Sequence, residues 1–185
     1  MSAVVDTPPL TVRKADAADV PSIIVLVDSA YRGDASRAGW TTEADLLEGQ
    51  RVDAIGVTDL VVKPDSCIIL FERGASERDR DLIACCQLEK LGDLCYFGMF
   101  SVRPTEQGGG IGKRVLAEAE RVARDEWGCA RIEMTVITVR VELLAWYERR
   151  GYRHSGVFKP FPYGDERFGV PRRDDLRFEV MVKDL

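Results

Sequence analysis

The middle of the chain holds a glycine-rich segment, VRPTEQGGGIGK at residues 102–113, whose residue types are typical of anion binding. A strand-like apolar pattern ends at its first residue, and a helix-like pattern of apolar residues begins within it. Backbone N–H groups at a helix start lack partners, and the helix dipole favours negative charge there. Because glycines leave these N–H groups uncovered, the segment predicts a loop that binds a phosphate group.

Two common phosphate-binding loops do not fit this spacing. A Walker A loop has four residues between its first glycine and its Gly-Lys pair, whereas three residues separate Gly108 from Gly112. Arg114 stands where that loop needs the Ser or Thr that binds magnesium. A dinucleotide-binding GxGxxG loop starting at Gly108 requires a glycine at position 113, which is lysine. The spacing therefore argues against a P-loop phosphotransferase and against a dinucleotide-binding protein.

The same segment fits the pattern Q-x-x-G-x-G, with Gln107, Gly110 and Gly112 at its fixed positions and Val-x-Pro before it. This pattern resembles the acyl-CoA pyrophosphate loop of the GNAT superfamily of N-acetyltransferases. Further along, residues 131–152 resemble that family's next strand and helix with a closing Tyr-Glu-x-x-Gly-Tyr sequence at 147–152. The resemblance implies an enzyme that moves an acetyl group from acetyl-CoA to an amine in a ternary complex.

The resemblance also implies where acetyl-CoA binds. The molecule would lie in a splayed gap between strands 94–102 and 130–137, with its pantetheine along the backbone of the first strand and its pyrophosphate on the glycine loop. A backbone N–H of that first strand would stabilise the thioester oxygen as charge develops there. The cofactor-binding residues implied are Phe100, Ser101, Val102, Gln107, Gly108, Gly109, Gly110, Ile111, Gly112, Lys113, Thr138 and Arg140.

For two of these residues the sequence allows more than one role. Family members often have an asparagine where this chain has Arg140, and an arginine cannot accept a hydrogen bond. Arg140 either pairs with phosphate or is an exposed arginine in the first turn of the last helix. Thr138 either caps this helix or contacts the cofactor.

Acetyl transfer needs a proton donor for the departing thiolate and a proton acceptor for the attacking amine. By resemblance Tyr147 is the general acid, and the alternative is that it packs the helix against the sheet. Some family members carry a glutamate base where this chain has Tyr96, which holds a water instead if it takes part. Glu89 and Glu133 are further candidates for the base, although both also fit a solvated strand end.

The acceptor site in this superfamily is built by the first helices and the last hairpin, which here are residues 28–51 and 158–175. The first segment combines aromatic and charged residues that suit a small cationic amine. These residues are Tyr31, Arg32, Trp40, Thr41, Thr42, Glu43 and Arg51. Trp40 alternatively anchors its loop against the core. We expect a small-molecule amine as the acceptor; the alternatives are a protein N-acetyltransferase and a non-catalytic acyl-CoA sensor. Many relatives dimerise, so a homodimer is compatible with the resemblance.

The elements that position these residues follow from hydrophobic periodicity and turn signals. The order is β-α-α-β-β-β-α-β-α-β-β, which predicts an α/β fold with a mixed, mainly antiparallel sheet flanked by helices. The first helix is capped by Asp16 or Asp19 and runs to Tyr31. The predicted strands are 10–14, 67–71, 82–88, 94–102, 130–137, 152–158 and 176–182. The other predicted helices are 43–50, one that begins at residue 111, and 139–150. The predicted loops are 32–40, 72–81 and 163–175.

Composition limits the class of protein. The chain has 185 residues with a net charge of −5, which predicts one domain over 1–185 and disfavours a nucleic-acid binder. Its longest apolar runs are five residues, and its first ten residues carry no secretory signal pattern. The five cysteines include no CxxC pair and are odd in number, which favours the cytoplasm. A single histidine argues against a metal site of the two-histidine kinds.

Overall fold

The computed structural model describes residues 9–74, 76 and 79–185. The strands are β1 (Leu10–Lys14), β2 (Leu47–Glu48), β3 (Ser66–Arg73), β4 (Asp81–Leu91), β5 (Leu94–Val102), β6 (Arg131–Ile137), β7 (Arg153–Pro160), β8 (Val170–Pro171) and β9 (Arg177–Asp184). The helices are α1 (Val20–Tyr31), α2 (Gly33–Ser36), α3 (Ala54–Val62), α4 (Ile111–Arg121) and α5 (Val141–Glu148).

The main sheet has seven strands in the order β1-β3-β4-β5-β6-β9-β7. Every neighbouring pair is antiparallel except β5 and β6, which are parallel. This topology confirms the predicted mixed, mainly antiparallel sheet. The parallel pair is joined through α4, because parallel neighbours need a crossover connection.

Both faces of the sheet are covered by helices, as the run of apolar residues in β3 requires. Ile69 and Phe71 pack on the face that holds α4 and α5, while Ile68 and Leu70 pack on the face that holds α1 and α3. Successive side chains of a strand point to opposite faces, so one buried strand supplies both cores. All five cysteine thiols are buried and free.

The gap between β5 and β6 that the family resemblance implied is present. The two strands pair only over Leu94–Arg131, Cys95–Ile132 and Tyr96–Glu133, and the paired register stops there. On its other side, β5 carries a bulge in which Met99 and Phe100 lie opposite Cys86 alone. Met99 adopts a left-handed backbone conformation with φ of 47°. A bulge bends its strand, which fits the departure of β5 from β6.

Two buried side chains stabilise the bulge by hydrogen bonds to its backbone. The carbonyl oxygen of Met99 accepts hydrogen bonds from the Ser101 hydroxyl at 3.2 Å and from the Cys85 thiol at 3.9 Å. Ser101 is buried and does not line the cavities described below. Its place in the fold therefore supports a positioning role for the strand backbone, in contrast to the direct contact with cofactor that the sequence predicted.

The first helix agrees with prediction, and the second does not. Asp16 accepts from the N–H of Ala18 and shares a capping box with Asp19, so α1 starts behind a short 3₁₀ turn. The predicted helix over 43–50 is wrong: this segment contains turns and β2, which pairs with β8. Glu43 is bound to arginines from two other elements, and these contacts override the local helical pattern. The helix in this region is α3, where Asp53 caps the N–H of Gly56.

Two predicted loops differ in part from the structure. Short elements interrupt two predicted loops: α2 lies within 32–40, and β8 lies within 163–175. The predicted 72–81 loop falls at the connection between β3 and β4, and its residues 75, 77 and 78 lie outside the described part of the chain. Residues 1–8, on which the expectation about a secretory signal rests, also lie outside it. Within the described residues, every helix is too short or too polar to cross a membrane.

Candidate active site

Two cavities meet where β5 and β6 separate. The first, which we call the α4 cavity, lies at the start of α4. Its walls include Trp40, Thr41, Phe100, Val102, Gln107, Gly108, Gly110, Gly112, Lys113, Arg140, Trp146, Tyr147 and Arg150. The second, the sheet cavity, lies between β5, β6, the end of α1 and the β7–β9 connection.

The two cavities share one wall. Tyr31, Phe100, Arg140, Leu143 and Tyr147 line both of them. The sequence analysis named all of these residues for the site except Leu143: Tyr31 in the acceptor segment, Phe100 on strand 94–102, and Arg140 and Tyr147 in the last helix. The structure brings them together because β5 turns away from β6 and α5 closes over the gap.

One end of the α4 cavity is formed by the glycine loop at the start of α4. Within the described residues, the N–H groups at positions 108–112 form no backbone or side-chain hydrogen bond. The first N–H group after them that donates a hydrogen bond is that of Lys113, which binds the Gly110 carbonyl at 3.1 Å. Gly110 caps the helix with φ of 84°, a conformation that favours glycine. Five free N–H groups at a helix start form a cradle of the kind that suits an anion.

Gly112 is a place where only glycine fits without displacement. A Cβ atom there would lie 3.3 Å from the Phe100 ring and 3.4 Å from the Trp146 ring. Two cations flank the cradle, because Lys113 and Arg150 line the same cavity. Gly109 and Ile111 lie in the loop but outside the lining, and Ile111 is part of the core.

Arg150 and Trp146 are functional candidates that the sequence analysis missed. The Arg150 guanidinium lies 3.4 Å from the centroid of the Trp146 ring and donates to the Trp146 carbonyl at 2.6 Å. Its Nε atom is buried and has no hydrogen-bond partner in the described chain. Burial and the nearby Arg149 lower the pKa of Arg150. In the sequence this residue belongs to a basic run that reads as a solvated helix end, so only the tertiary fold reveals it.

The exposed edge of β5 is shaped by two side chains. The Tyr31 hydroxyl donates to the Phe100 carbonyl at 2.7 Å, and Gln107 donates to the Val102 carbonyl at 3.1 Å. Gln107 also accepts the Trp40 N–H at 3.0 Å, so it ties the loop after α2 to the glycine loop. Trp40 itself is 47% exposed at the cavity rim, which argues against the alternative that it anchors its loop in the core.

Tyr147 occupies the common wall with a buried ring. It packs against Phe100, Trp146 and Tyr152 at centroid distances of 6.5, 5.1 and 5.7 Å. Its hydroxyl forms no hydrogen bond with any described residue, although Tyr147 lines both cavities. Burial raises the pKa of Tyr147 well above its ordinary value, so the hydroxyl keeps its proton at neutral pH. This is the state that a proton donor requires.

The three candidates for the base lie in different places. Tyr96 lines the sheet cavity, with its hydroxyl 3.5 Å from Thr135 Oγ1. Glu89 lies outside both cavities, where its carboxylate is ion-paired with Lys63. Glu133 also lies outside them, 3.9 Å from Lys159. The structure therefore brings Tyr96 to the site and leaves both glutamates away from it.

A buried ion network closes the sheet cavity. Glu43 accepts from Arg32 at 2.6 Å and from Arg140 at 2.7 Å, and all three residues are less than 10% exposed. Arg140 also donates to Thr41 Oγ1 at 2.8 Å. The alternative of an exposed Arg140 is therefore wrong. Thr138 lies outside both linings, and α5 begins after Arg140 without a side-chain cap, so Thr138 does not cap it.

Burial alone would raise the pKa of Glu43, but the guanidinium groups of Arg140 and Arg32 outweigh it and hold this pKa below its usual value. Glu43 is thus a carboxylate with both oxygens already bound to protein cations. A cationic amine would need a free carboxylate as its partner, and Glu43 is therefore not such a partner. Thr42 likewise serves the local turn, where its hydroxyl accepts the Ala44 N–H at 3.0 Å.

Comparison with known proteins places this geometry in context. The sequence model of a family described as the acetyltransferase (GNAT) family matches residues 27–152. No curated protein sequence matches the chain. Among solved structures, an IAA acetyltransferase from Bacillus cereus superposes with a TM-score of 0.63 at 17% identity, over 95% of this chain and 99% of that one.

Two other solved structures give similar values. The ribosomal-protein-S18-alanine N-acetyltransferase from Escherichia coli has a TM-score of 0.66 at 12% identity, covering 95% of this chain and 93% of that one. A chimera of the spermidine N-acetyltransferase SpeG from Vibrio cholerae and hSSAT has a TM-score of 0.67 at 14% identity, covering 95% of both chains. At such identities the likeness shows a shared fold.

Proposed function

We propose, from the premise that this chain belongs to the acetyltransferase (GNAT) family, that it transfers an acetyl group from acetyl-CoA to the primary amine of a small molecule. The amine would attack directly, with both substrates bound. The observation that carries the proposal is the row of five free N–H groups at the start of α4, in a cavity that meets a second one at the β5–β6 gap.

The residues present fit acetyl-CoA. The free N–H groups of the glycine loop, with Lys113 and Arg150, suit its diphosphate. The divergence of β5 from β6 leaves this edge of β5 without a strand partner near Phe100 and Val102, where the amides of its pantetheine would pair. The two carbonyls there each keep a second lone pair besides the one that accepts from Tyr31 or Gln107. Bound acetyl-CoA supplies an acetyl group activated as a thioester. Its reacting end would lie at the wall that both cavities share.

This chain's own residues supply the rest of the chemistry. Tyr147 Oη donates a proton to the sulfur that leaves, because it is protonated and free of other partners. A backbone N–H at the bulge of β5 stabilises negative charge on the acetyl oxygen. On the other side of the wall, Tyr96 and Thr135 hold a water that accepts a proton from the amine.

A small acceptor is favoured by the shape of the sheet cavity, which is a walled recess between sheet and hairpin. The structural neighbours include a spermidine N-acetyltransferase and a ribosomal-protein-S18-alanine N-acetyltransferase, so the fold alone serves both kinds of acceptor. Thiol release from acetyl-CoA with a panel of amines tests the proposal. Binding of acetyl-CoA without thiol release by any amine or peptide would instead favour a non-catalytic acyl-CoA sensor.

Gly112→Leu is expected to weaken acetyl-CoA binding at least about tenfold, since the new side chain pushes into the Phe100–Trp146 wall beside the cradle. Loss of one hydrogen bond to a charged group accounts for a change of that size. Isothermal calorimetry measures the effect, and Ala117→Leu on the exposed side of α4 is the control. Equal affinities in the wild type and Gly112→Leu would contradict the diphosphate position.

A further inference from the structure

The sheet cavity carries more positive than negative charge. Its lining includes three guanidinium groups, from Arg32, Arg51 and Arg140, and one carboxylate, from Glu43. The other polar groups in the lining, such as Gln87 and Thr135, are neutral. A cavity of this kind attracts an anionic ligand group and repels a polycation.

Arg51 is the guanidinium in this set that is available to a ligand. Arg32 and Arg140 are both bound to Glu43, whereas Arg51 forms no ion pair or side-chain hydrogen bond within the described chain. Asp28 accepts the backbone N–H of Arg51 at 2.8 Å and lies outside the cavity lining. The Arg51 guanidinium stacks over the Tyr31 ring at 5.2 Å from its centroid, which fixes its position on the wall.

The geometry of a guanidinium matches one class of ligand group. Two parallel N–H bonds fit the two oxygens of a carboxylate, and this pairing is stronger than a neutral hydrogen bond. The rest of the lining is largely apolar and includes the aromatic rings of Phe161, Phe168 and Phe178. The cavity thus offers an anion-binding end and an apolar body on the acceptor side of the shared wall.

We infer that the acceptor is an amine that also carries a carboxylate, and that Arg51 binds this carboxylate. The inference rests on the proposed function and names its substrate class. It revises the expectation of a cationic amine, because Glu43 is already bound to two arginines. The positive surplus also disfavours the ammonium form of a bound amine, which assists nucleophilic attack in a site without a free carboxylate base.

The experiment compares acceptors in matched sets. Each amino acid of a broad panel is offered with acetyl-CoA as the free acid, as its amide and as the amine that lacks the carboxyl group, and spermidine is added as a polycation. The best acceptor is expected to be a free acid, with kcat/KM at least about tenfold above that of its amide. Equal rates for acid and amide, or spermidine as the best substrate, would overturn the inference and leave acetyl transfer intact.

A variant series assigns the effect to one residue. Arg51→Gln is expected to raise KM for the acid about tenfold to a hundredfold, with kcat/KM for the amide within about twofold of wild type. Arg51→Lys keeps the charge and should recover part of the loss. Arg173→Gln, at an exposed arginine paired with Asp175, is the control. An equal loss for acid and amide in Arg51→Gln would mean a structural role and contradict the assignment.

Acetyl-CoA titrations of the same variants separate the two proposals. Unchanged acetyl-CoA affinity in Arg51→Gln is expected, because Arg51 lines only the sheet cavity. If acetyl-CoA binds to the wild type but no member of the panel releases thiol, the proposed acetyl transfer to a small amine fails, and the inference about its acceptor fails with it.

Discussion

Replacing Tyr147 with phenylalanine is expected to lower kcat about a hundredfold, while KM for acetyl-CoA changes far less. The ring stays in its packed position between Phe100, Trp146 and Tyr152, so only the unpartnered hydroxyl is removed. Loss of a positioned proton donor typically costs a factor of about a hundred or more. Steady-state kinetics with saturating acceptor measure the two constants separately.

The matched control for this prediction is Tyr152→Phe. Tyr152 is a second buried tyrosine near the end of α5, but its hydroxyl donates to Glu120 at 3.1 Å, and it lies outside both cavities. It should keep wild-type kcat. Because burial raises the pKa of Tyr147 well above 10, wild-type kcat should also show no loss from its ionisation between pH 8 and 10. An unchanged kcat in Tyr147→Phe would remove the proposed role.

Glu43→Gln is expected to lower the free energy of unfolding by about 3–5 kcal/mol, because it leaves two buried guanidinium groups without their carboxylate. Urea denaturation followed by circular dichroism measures the change. Asp45→Asn removes an exposed carboxylate that pairs with Arg37, and the free energy of unfolding should change far less, because solvent screens this pair. Equal stability of Glu43→Gln and wild type would contradict the network's importance.

The same carboxylate predicts the acid response. The pKa of Glu43 is lowered in the folded protein, so its ion pairs stabilise the fold above the unfolded value of 4.5, and the contribution disappears as pH falls through the lower folded value. Wild type should therefore lose more stability on acidification below pH 4.5 than Glu43→Gln does. Parallel slopes for the two proteins would show that Glu43 does not titrate in this way.

The sequence was sufficient for features that depend on local patterns. The glycine loop could be predicted because free N–H groups at a helix start need no distant partner, and the strands around it followed from alternation and turns. The β5–β6 gap came from the family resemblance. The family match and the sheet topology confirm the predicted family and the predicted mixed sheet.

Features that depend on distant side chains could not be predicted in the same way. Glu43 reads as part of a helix, yet its carboxylate binds arginines 11 and 97 residues away along the chain. Arg150 reads as a solvated cation, yet it stacks on Trp146 in the α4 cavity. The sequence supplied the residue types, but their pairing is determined by where α1, α5 and the intervening loops pack.

The wall between the two cavities has a thermodynamic consequence. A ligand that presses on Tyr31 or Arg140 from one side alters the surface met by a ligand on the other side. Linkage makes this influence mutual, so the factor by which the amine changes the dissociation constant of the thioester equals the factor by which the thioester changes that of the amine. Occupancy of one cavity therefore changes affinity in the other through this shared wall, whichever ligand binds first.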